Sequence, residues 1–547
     1  MGLTLEEACW ATRAGNVFTT HTPVASAFDA FEPALVVKYF REYLDDVGAS
    51  VHDLLRLGHS ENATARFIMA FLASRLCGSV NAVSAIHELV SKRLARPVFP
   101  RWPESEVPIS HVTNGVHTPS WDSEDSDQLW TRICGKDRWR GELDGISEKI
   151  ATASDEEIWS MRTRGRKALV EYARLRLSRD LGQRGADPDL IERARYVLDP
   201  KALTIGFARR FVAYKRPTLM LDNPERLRAL LLDPTRRVQR IVAGKAHPQD
   251  AEGKGLVQAF IHFARRPDLR DKVVFIEDYD ITSAQHIVAG VDVWINSSLR
   301  PWEACGTSGM KVLVNGGLNL STLDGWWAEA YDRDIGWAFG DHVHDGTHFD
   351  SASEADQLYS LLENEVIPEF YHRDETGLPR AWLAKVRKSM SMLTPRFSAN
   401  RMVREYLGQV YIPAAKTFKK RIADSAQIAR ELNLWQQRIR DNWSRIRLGA
   451  VRVNEVDGKY RFQAELYLSE LDPSVLRVEL YADPSEGRPA ECMPASCEGP
   501  ITGAINGYFY SAEVKAVRPT SDYTYRVTPY HPEVHVPLEE NHILWQK

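Results

Sequence analysis

The sequence has few cysteines, no long apolar run and almost no charge bias. Its six cysteines are scattered over 547 residues, and the closest two, Cys492 and Cys497, fit no paired zinc or redox motif. No stretch reaches the ~18–20 apolar residues of a membrane span. The first residues lack the basic-then-apolar pattern of a signal peptide. We therefore expect a cytoplasmic protein with no membrane partner and no metal.

Motifs and net charge exclude further classes. No G-x-x-x-x-G-K-[ST] is present, no G-x-G-x-x-G follows a predicted strand, and no H-E-x-x-H occurs. Lys and Arg number 70 against 74 Asp and Glu, a formal charge of −4. This balance gives no bulk attraction to nucleic acid, so any anion site must be local.

The chain reads as three regions. In residues 1–112, a capping box at Thr4–Glu7 predicts a helix, a strand follows at 17–20, and helical periodicity covers 33–46 and 64–94. This pattern is typical of the tail of a domain. In residues 113–443, a long helix precedes strands that alternate with helices, which predicts a Rossmann-like parallel sheet. The predicted strands are 203–208, 238–243, 273–277, 291–296 and 318–321.

Residues 444–547 change character again. Short runs rich in aromatic and β-branched residues alternate with turns that contain Pro and Gly. They predict a small antiparallel β-sandwich of ~100 residues. The predicted strands are 451–456, 460–468, 476–481, 508–514 and 523–530.

Unusual residues follow the strands of the middle region. The loop GFARRFVAYKRP contains four cations within eight positions, Arg209, Arg210, Lys215 and Arg216. At the mouth of a parallel sheet they would make a strong anion site. Taken alone, the loop is more typical of a solvated basic surface than of an anion site.

A second loop contains small residues before a helix. Gly306, Thr307, Ser308 and Gly309 could hold a phosphate, and Lys311 lies close to them in sequence. Together the two loops suit a phosphorylated cofactor bound through a lysine, with a second anion alongside. The chemistry alone leaves this open against structural roles for both loops.

The ordered motifs resemble a known family. THTPV, HVTNGVHTPSW, GFARRFVAYKR, AGKAHP, EDYD and RPWEACGTSGMKVLVNGGLNLSTLDGWW occur in this sequence in that order. They look like the α-glucan (glycogen/maltodextrin) phosphorylases of the short bacterial type, over roughly Leu3 to Arg430. The resemblance implies an α/β fold of the two-domain GT-B glycosyltransferase architecture. It also implies release of glucose 1-phosphate from an α-1,4-glucan with inorganic phosphate.

The resemblance implies a role for each matched residue. Lys311 would carry pyridoxal 5′-phosphate, whose phosphate group exchanges a proton with the substrate phosphate. The residues expected to contact the cofactor phosphate are Arg209, Lys215, Thr307 and Ser308, and those expected to contact the substrate phosphate are Arg210 and Lys215. The residues expected to line the cofactor are Tyr279 and Trp121. The residues expected at the glucosyl hydroxyls are Asn114, Glu303, Gly306 and His21. Outside the motifs, His21 would be interpreted as an ordinary loop histidine and Glu303 as a helix-start carboxylate. Trp326 and Trp327 are expected in the core.

The sequence departs from the family pattern at three places. Cys305 replaces a small residue, and Glu88 follows His87 where a Gly is usual. By the resemblance, Met1 aligns inside the family's N-terminal domain, so we expect most of that domain, with its share of the glucan cleft, to be absent. The chain would then be a fragment, pair with a complementing N-terminal chain or a second copy, or be a non-catalytic remnant. A sugar-nucleotide glycosyltransferase is a weaker alternative, since it has no use for Lys311.

Overall fold

The structure, a computed structural model, describes residues 2–24, 28–59, 66–140, 143–340, 351–485 and 487–546. They form two units. Unit 1 comprises Met1–Asn81, Ser91–Ser110 and Gly408–Lys547, and unit 2 comprises Ala82–Val90 and His111–Leu407. None of the helices in these described ranges has the length and apolar character that a bilayer span requires.

The first stretch of the chain is built of short elements. They are α1 (Leu5–Thr12), β1 (Val17–Thr19), β2 (Ala30–Phe31), α2 (Pro33–Val47), α3 (Val51–Gly58), β3 (Phe67–Ile68), α4 (Met69–Leu76), β4 (Ser79–Ala82), α5 (Ala85–Ala95) and β5 (Ser110–His111). The predicted capping box of α1 is confirmed, because Thr4 and Glu7 each accept a hydrogen bond from the other's backbone N–H. Helix α2 matches the predicted 33–46.

The prediction of continuous helical structure over 64–94 is wrong at strands β3 and β4, and its first two residues lie outside the described residues. Strand β4 interrupts it and pairs in parallel with β1, Val17 opposite Ser79. Gly78, directly before β4, lies where an added Cβ would come within 2.8 Å of the Ala14 Cα. This close approach needs glycine, and the glycine marks the break between helix and strand.

Unit 2 contains a six-stranded parallel sheet. Its strands are β6 (Leu203–Ala208), β7 (Val238–Ala243), β8 (Val273–Ile276), β9 (Val293–Asn296), β10 (Leu318–Thr322) and β11 (Gly336–Phe339), in the order β11-β10-β9-β6-β7-β8. The five predicted strands are confirmed, and β11 is an addition. The strand order reverses between β6 and β9, and ligands in such sheets bind at the carboxyl ends beside that point.

Helices precede, separate and follow the strands of this sheet in the sequence. They are α6 (Thr118–Trp121), α7 (Glu124–Cys134), α8 (Ile146–Ala151), α9 (Asp155–Gln183), α10 (Pro188–Ala194), α11 (Pro224–Leu232), α12 (Ala251–Ala264), α13 (Ile281–Gly290), α14 (Ser308–Leu313), α15 (Trp327–Ala330), α16 (Ser351–Leu361), α17 (Ile367–Tyr371), α18 (Arg380–Arg396) and α19 (Ala399–Glu405). Helix α9 buries one face: Ile158, Met161 and Leu169 are buried, and Tyr172 is half-buried. Ile158 and Met161 belong to the same buried cluster as Leu203 and Ile205 of β6, so α9 packs against the sheet that carries the candidate site.

The last part of unit 1 follows helix α20 (Ile412–Trp443). The strands are β12 (Arg447–Val456), β13 (Lys459–Tyr467), β14 (Leu476–Ala482), β15 (Glu491–Pro494), β16 (Ser496–Pro500), β17 (Gly507–Lys515), β18 (Tyr523–Pro529) and β19 (Leu544–Trp545). They form two four-stranded sheets, β12-β13-β17-β16 and β15-β14-β18-β19. Phe462 and Val478, one from each sheet, belong to one buried cluster. The Tyr525 hydroxyl of the second sheet donates to the Phe462 carbonyl of the first at 3.0 Å.

Candidate active site

The site begins where the strand order of the unit 2 sheet reverses. Strands β6 and β9 are direct neighbours, with Gly206 opposite Trp294. Arg209 comes just after β6, and Asn296 is the last residue of β9. The Arg209 guanidinium donates to the Asn296 side-chain oxygen. The sheet therefore places the first basic residue of the cationic loop at its ligand-binding edge.

Glu303 lies at the centre of this edge and is almost fully buried. Its carboxylate accepts from the Arg209 guanidinium and from Lys215 Nζ, whose distance to Glu303 Oε2 is 3.2 Å. Burial alone would raise the pKa of Glu303, but the two cations outweigh it and hold the pKa below its ordinary value. Glu303 is thus a buried carboxylate that is ionised and held by two positive charges.

The buried position of Lys215 changes its pKa. Burial, and next the charge of Arg209, lower the pKa of Lys215 to about 8, although Glu303 acts in the opposite direction. Arg210 is exposed, and its charge also lowers the pKa of Lys215. The site therefore has three positive charges, from Arg209, Arg210 and Lys215, against the one negative charge of Glu303. The excess positive charge is available to an anion.

Arg216, the fourth cation of the loop, has a different role. It is buried, pairs with Glu354 at 2.5 Å, and donates to the carbonyls of Ser297 and Ser298. These contacts tie the cationic loop to the loop after β9. The expectation that all four cations serve one anion site is therefore wrong for Arg216, because its charge is already neutralised by Glu354.

A second set of contacts supports Glu303 from behind. The fully buried carboxylate of Asp324 accepts from the Glu303 backbone N–H at 2.9 Å and from the Ser298 hydroxyl at 3.3 Å. It also accepts from the Gly325 N–H at 2.8 Å. Sequence reasoning did not single out Asp324. The sequence feature that could have indicated Asp324 is the Asp-Gly pair after β10. Glycine is required at position 325, because its φ is +51° and an added Cβ would lie 2.3 Å from the Cys305 carbonyl oxygen.

Lys311 lies in α14 and is half-buried. Its Nζ lies 3.7 Å from the centre of the Trp121 ring, and burial lowers its pKa. Within the described residues, no carboxylate pairs with this amine. By contrast Lys215 pairs with Glu303, and Lys245, the third lysine after a strand, pairs with Asp278 at 2.5 Å.

The small residues before Lys311 take the positions that the sequence predicts. Thr307 precedes α14 and makes no side-chain capping bond to it. The Ser308 hydroxyl accepts from Trp294 Nε1 at 3.1 Å, which anchors the start of the helix to β9. Gly306 has φ +82°, and an added Cβ would lie 3.2 Å from Glu303 Cγ. The turn therefore places the Gly306 backbone close to the Glu303 side chain, directly before Thr307 and Ser308 in the chain.

Of three further predicted residues, two lie in unit 2 and one lies in unit 1. Tyr279 precedes α13; burial raises its pKa to about 12, and the charge of Arg209 acts against this rise. The Asn114 backbone lies beside the thiol of Cys305, whose pKa burial raises. His21 belongs to unit 1, where its side chain is exposed. Its contact with a glucosyl hydroxyl stays a prediction.

Comparison with known proteins identifies the family. The family model described as carbohydrate phosphorylase matches residues 3–367. The chain belongs to the carbohydrate phosphorylase family. Its six-stranded parallel α/β sheet fits the GT-B type fold of these phosphorylases.

Individual relatives agree with this family. The chain is 37% identical to a glycogen phosphorylase of Mycobacterium tuberculosis and 35% identical to a maltodextrin phosphorylase of Thermococcus litoralis. Both matches cover 97% of this chain and 63% of the relative. A glycogen phosphorylase of Aquifex aeolicus is 39% identical over 75% of this chain and 59% of the relative. The chain thus spans just under two thirds of the length of these curated phosphorylases.

The two tryptophans of the phosphorylase motif are core residues. Trp326 and Trp327 are 2% and 0% exposed, and their rings pack edge-to-face with centres 5.1 Å apart. Trp326 also packs against Phe397. The expectation that both pack in the core is confirmed, and neither is available to line a ligand.

Proposed function

We propose that this phosphorylase chain binds pyridoxal 5′-phosphate through Lys311 and acts in an α-1,4-glucan phosphorylase. The observation that carries the proposal is the contrast among the three lysines at strand ends. Lys215 and Lys245 pair with carboxylates, whereas Lys311 has an aromatic ring as its neighbour and, among the described residues, no carboxylate partner. Burial also lowers the pKa of Lys311, and a lowered pKa favours the reaction of an amine with a carbonyl cofactor.

The donor set around Lys311 fits the cofactor's phosphate. Arg209 and Lys215 would supply charge, while Thr307 and Ser308 would supply hydroxyls or backbone N–H groups. Glu303 neutralises part of this charge in the structure, and two phosphate dianions would need the remainder. Tyr279 and Trp121 offer the flat surfaces that would flank a pyridine ring.

The residues of this chain would then serve the reaction in separate ways. When bound, the cofactor would supply a phosphate group as the proton donor and acceptor for inorganic phosphate. Arg210 and Lys215 would hold the inorganic phosphate against the repulsion of the neighbouring anion. Glu303, Asn114 and the Gly306 backbone would orient the glucosyl hydroxyls of glycogen or maltodextrin, with His21 at the 6-hydroxyl.

The domain assignment remains part of the proposal. We propose residues 1–112 as part of a glucan-binding domain, 113–443 as the cofactor domain and 444–547 as an accessory β-sandwich. The two four-stranded sheets with a shared buried cluster support the last of these. The sheet of β6 to β11 supports the second.

Ligand binding separates this function from its alternatives. We expect the protein purified with pyridoxal 5′-phosphate to show a borohydride-reducible absorption band and to bind inorganic phosphate and glucose 1-phosphate. Glucose 1-phosphate release from maltodextrin, dependent on cofactor and phosphate, would show the whole reaction in this chain. Binding without release would indicate a chain that depends on a partner. A protein that binds a sugar nucleotide and no cofactor would contradict the proposal.

A further inference from the structure

Strand β8 is an edge of the unit 2 sheet, and part of its backbone faces away from the sheet. It stands last in the strand order and pairs in parallel with β7. The Lys272 carbonyl accepts from the Arg240 N–H of β7. Because the direction of hydrogen bonding alternates along a strand, the backbone N–H and carbonyl of Phe275 point to the opposite edge. Within the described residues Phe275 makes no backbone hydrogen bond there, so β8 can pair with another strand.

A groove runs along this edge. It has a volume of about 470 Å³ and lies between β8 and the helices α9, α10 and α12. We call it the edge groove. On the strand side its lining extends from Val273 to Glu277, which is roughly 13 Å of extended backbone. A groove that follows a strand over this length suits an extended chain better than a compact small molecule.

The two sides of the edge groove are apolar. Leu177 of α9 packs against the buried cluster that contains Val274, whereas Phe260 of α12 belongs to the cluster that contains Val273. Successive residues of a strand point to opposite faces, so α9 and α12 cover opposite faces of β8. Leu190 of α10 also lines the edge groove and is 41% exposed. Side chains of an added strand would point alternately to these two sides and would cover Leu190.

The charges of the edge groove favour an acidic occupant. The carboxylates that line it are each held by an arginine, in the pairs Asp180–Arg176, Asp271–Arg193 and Glu277–Arg184. Arg265 and Arg270 also line it, and neither forms an ion pair within the described residues. The Arg270 Nε is buried and has no hydrogen-bond partner in the described part of the chain. The lining charges that are not already paired are therefore positive, and both lie before the start of β8.

We propose that the edge groove binds an extended peptide segment of a partner protein, which adds to the sheet as a strand beside β8. The segment would be apolar, with an acidic residue at the end that faces Arg265 and Arg270. Backbone hydrogen bonds to Phe275 would hold the segment, and its side chains would be selected by the apolar sides of the groove. This inference does not depend on the proposed phosphorylase activity.

Two acetylated hexapeptides test the proposal, one for each strand direction. In one, glutamate precedes alternating valine and threonine, and in the other it follows them. Fluorescence anisotropy with the whole chain should show saturable binding of at least one labelled peptide. N-methylation of the alternate amides that face β8 should abolish this binding, whereas N-methylation of the other alternate amides should spare it, because only one edge of the peptide pairs with the strand.

Amide hydrogen exchange shows where the peptide binds. The Phe275 amide should exchange more slowly with bound peptide, since its N–H gains a partner. The amides of Val274 and Ile276 face β7 and serve as internal controls, whose exchange should stay level. Failure of both peptides to bind at millimolar concentration would overturn the proposal. So would binding that leaves exchange at Phe275 unchanged, because the peptide would then occupy another surface.

Variants of the lining test the proposed contacts. Leu190→Asp and Arg265→Glu should each weaken peptide binding by roughly tenfold. Leu175→Asp is the control for the first, because Leu175 is 71% exposed on α9 and lies outside the groove lining. Arg140→Glu, at an exposed position of unit 2, is the control for the second. Circular dichroism confirms that each variant remains folded, and equal weakening by the controls would contradict the proposal.

Discussion

The backbone N–H of Glu303 donates to the buried carboxylate of Asp324 at 2.9 Å. The Glu303 carboxylate in turn accepts hydrogen bonds from Arg209 and Lys215. Asp324 therefore positions the residue that binds these two cations. Two loops that follow different strands, β9 and β10, are joined at this point. Asp324 therefore supports the candidate site through the backbone of Glu303.

We predict that Asp324 makes stability depend on pH. Burial, and next the charge of Glu303, raise the pKa of Asp324 to about 7 against the donors that lower it. The folded state then binds more protons than the unfolded state between about pH 4 and pH 7, so the free energy of unfolding falls as pH rises through this range. The loss should be a few kcal/mol, on the order of the pKa difference.

Chemical denaturation of wild type and Asp324→Asn over this pH range measures the effect. The variant should lack this fall in the free energy of unfolding. Asp144→Asn, at an exposed position of unit 2, is the control and should keep it. Equal pH dependence in all three proteins would show that Asp324 is ionised throughout.

We predict that Lys311→Ala abolishes covalently bound cofactor and leaves the chain folded. Lys311 is half-buried at the second turn of a short helix and pairs with no described carboxylate, so its loss leaves no buried charge unpaired. Absorption after borohydride treatment measures the cofactor. Lys245→Ala removes a surface lysine that pairs with Asp278 and should retain the chromophore.

We predict that Arg210→Ala and Lys215→Ala differ in which anion they lose. Arg210→Ala should weaken inorganic phosphate binding by ~10-fold or more and spare cofactor content, since a hydrogen bond to a charged group contributes about 1.5 kcal/mol or more. Lys215→Ala should lower both, because Lys215 would face both anions. Calorimetric titration with phosphate and the cofactor-to-protein ratio measure the two effects. Equal cofactor loss in both variants would contradict the assignment.

We predict that phosphate binding weakens as pH rises above about 8. The pKa of Lys215 is lowered to about 8 by burial and Arg209, so the amine loses its charge above this pH. Each further pH unit should lower phosphate affinity by up to about tenfold, because only the charged form binds the anion well. In Lys215→Arg the charge persists and the affinity should stay level. Isothermal titration at several pH values decides between the two outcomes.

The sequence allowed the sheet and the two site loops to be predicted because their signals are local. Alternation of apolar runs gave β6 to β10, and the small residues before Lys311 lie in one continuous motif. Strand β4 was not predicted because it has only four residues, too few to interrupt the helical spacing of the apolar residues around it. The Arg216–Glu354 pair joins positions more than a hundred residues apart, and no local pattern reports such a contact. Likewise, Tyr39 is exposed because α2 packs through Val36 and Leu44, and the sequence does not show which apolar face of a helix is buried.

Mass spectrometry of borohydride-reduced protein tests the central claim most directly. The protein is saturated with pyridoxal 5′-phosphate, reduced, digested and mapped peptide by peptide. The account predicts the reduced cofactor on Lys311, at close to one per chain. Modification at Lys215 or Lys245 instead, or no stable modification at any lysine, would contradict it.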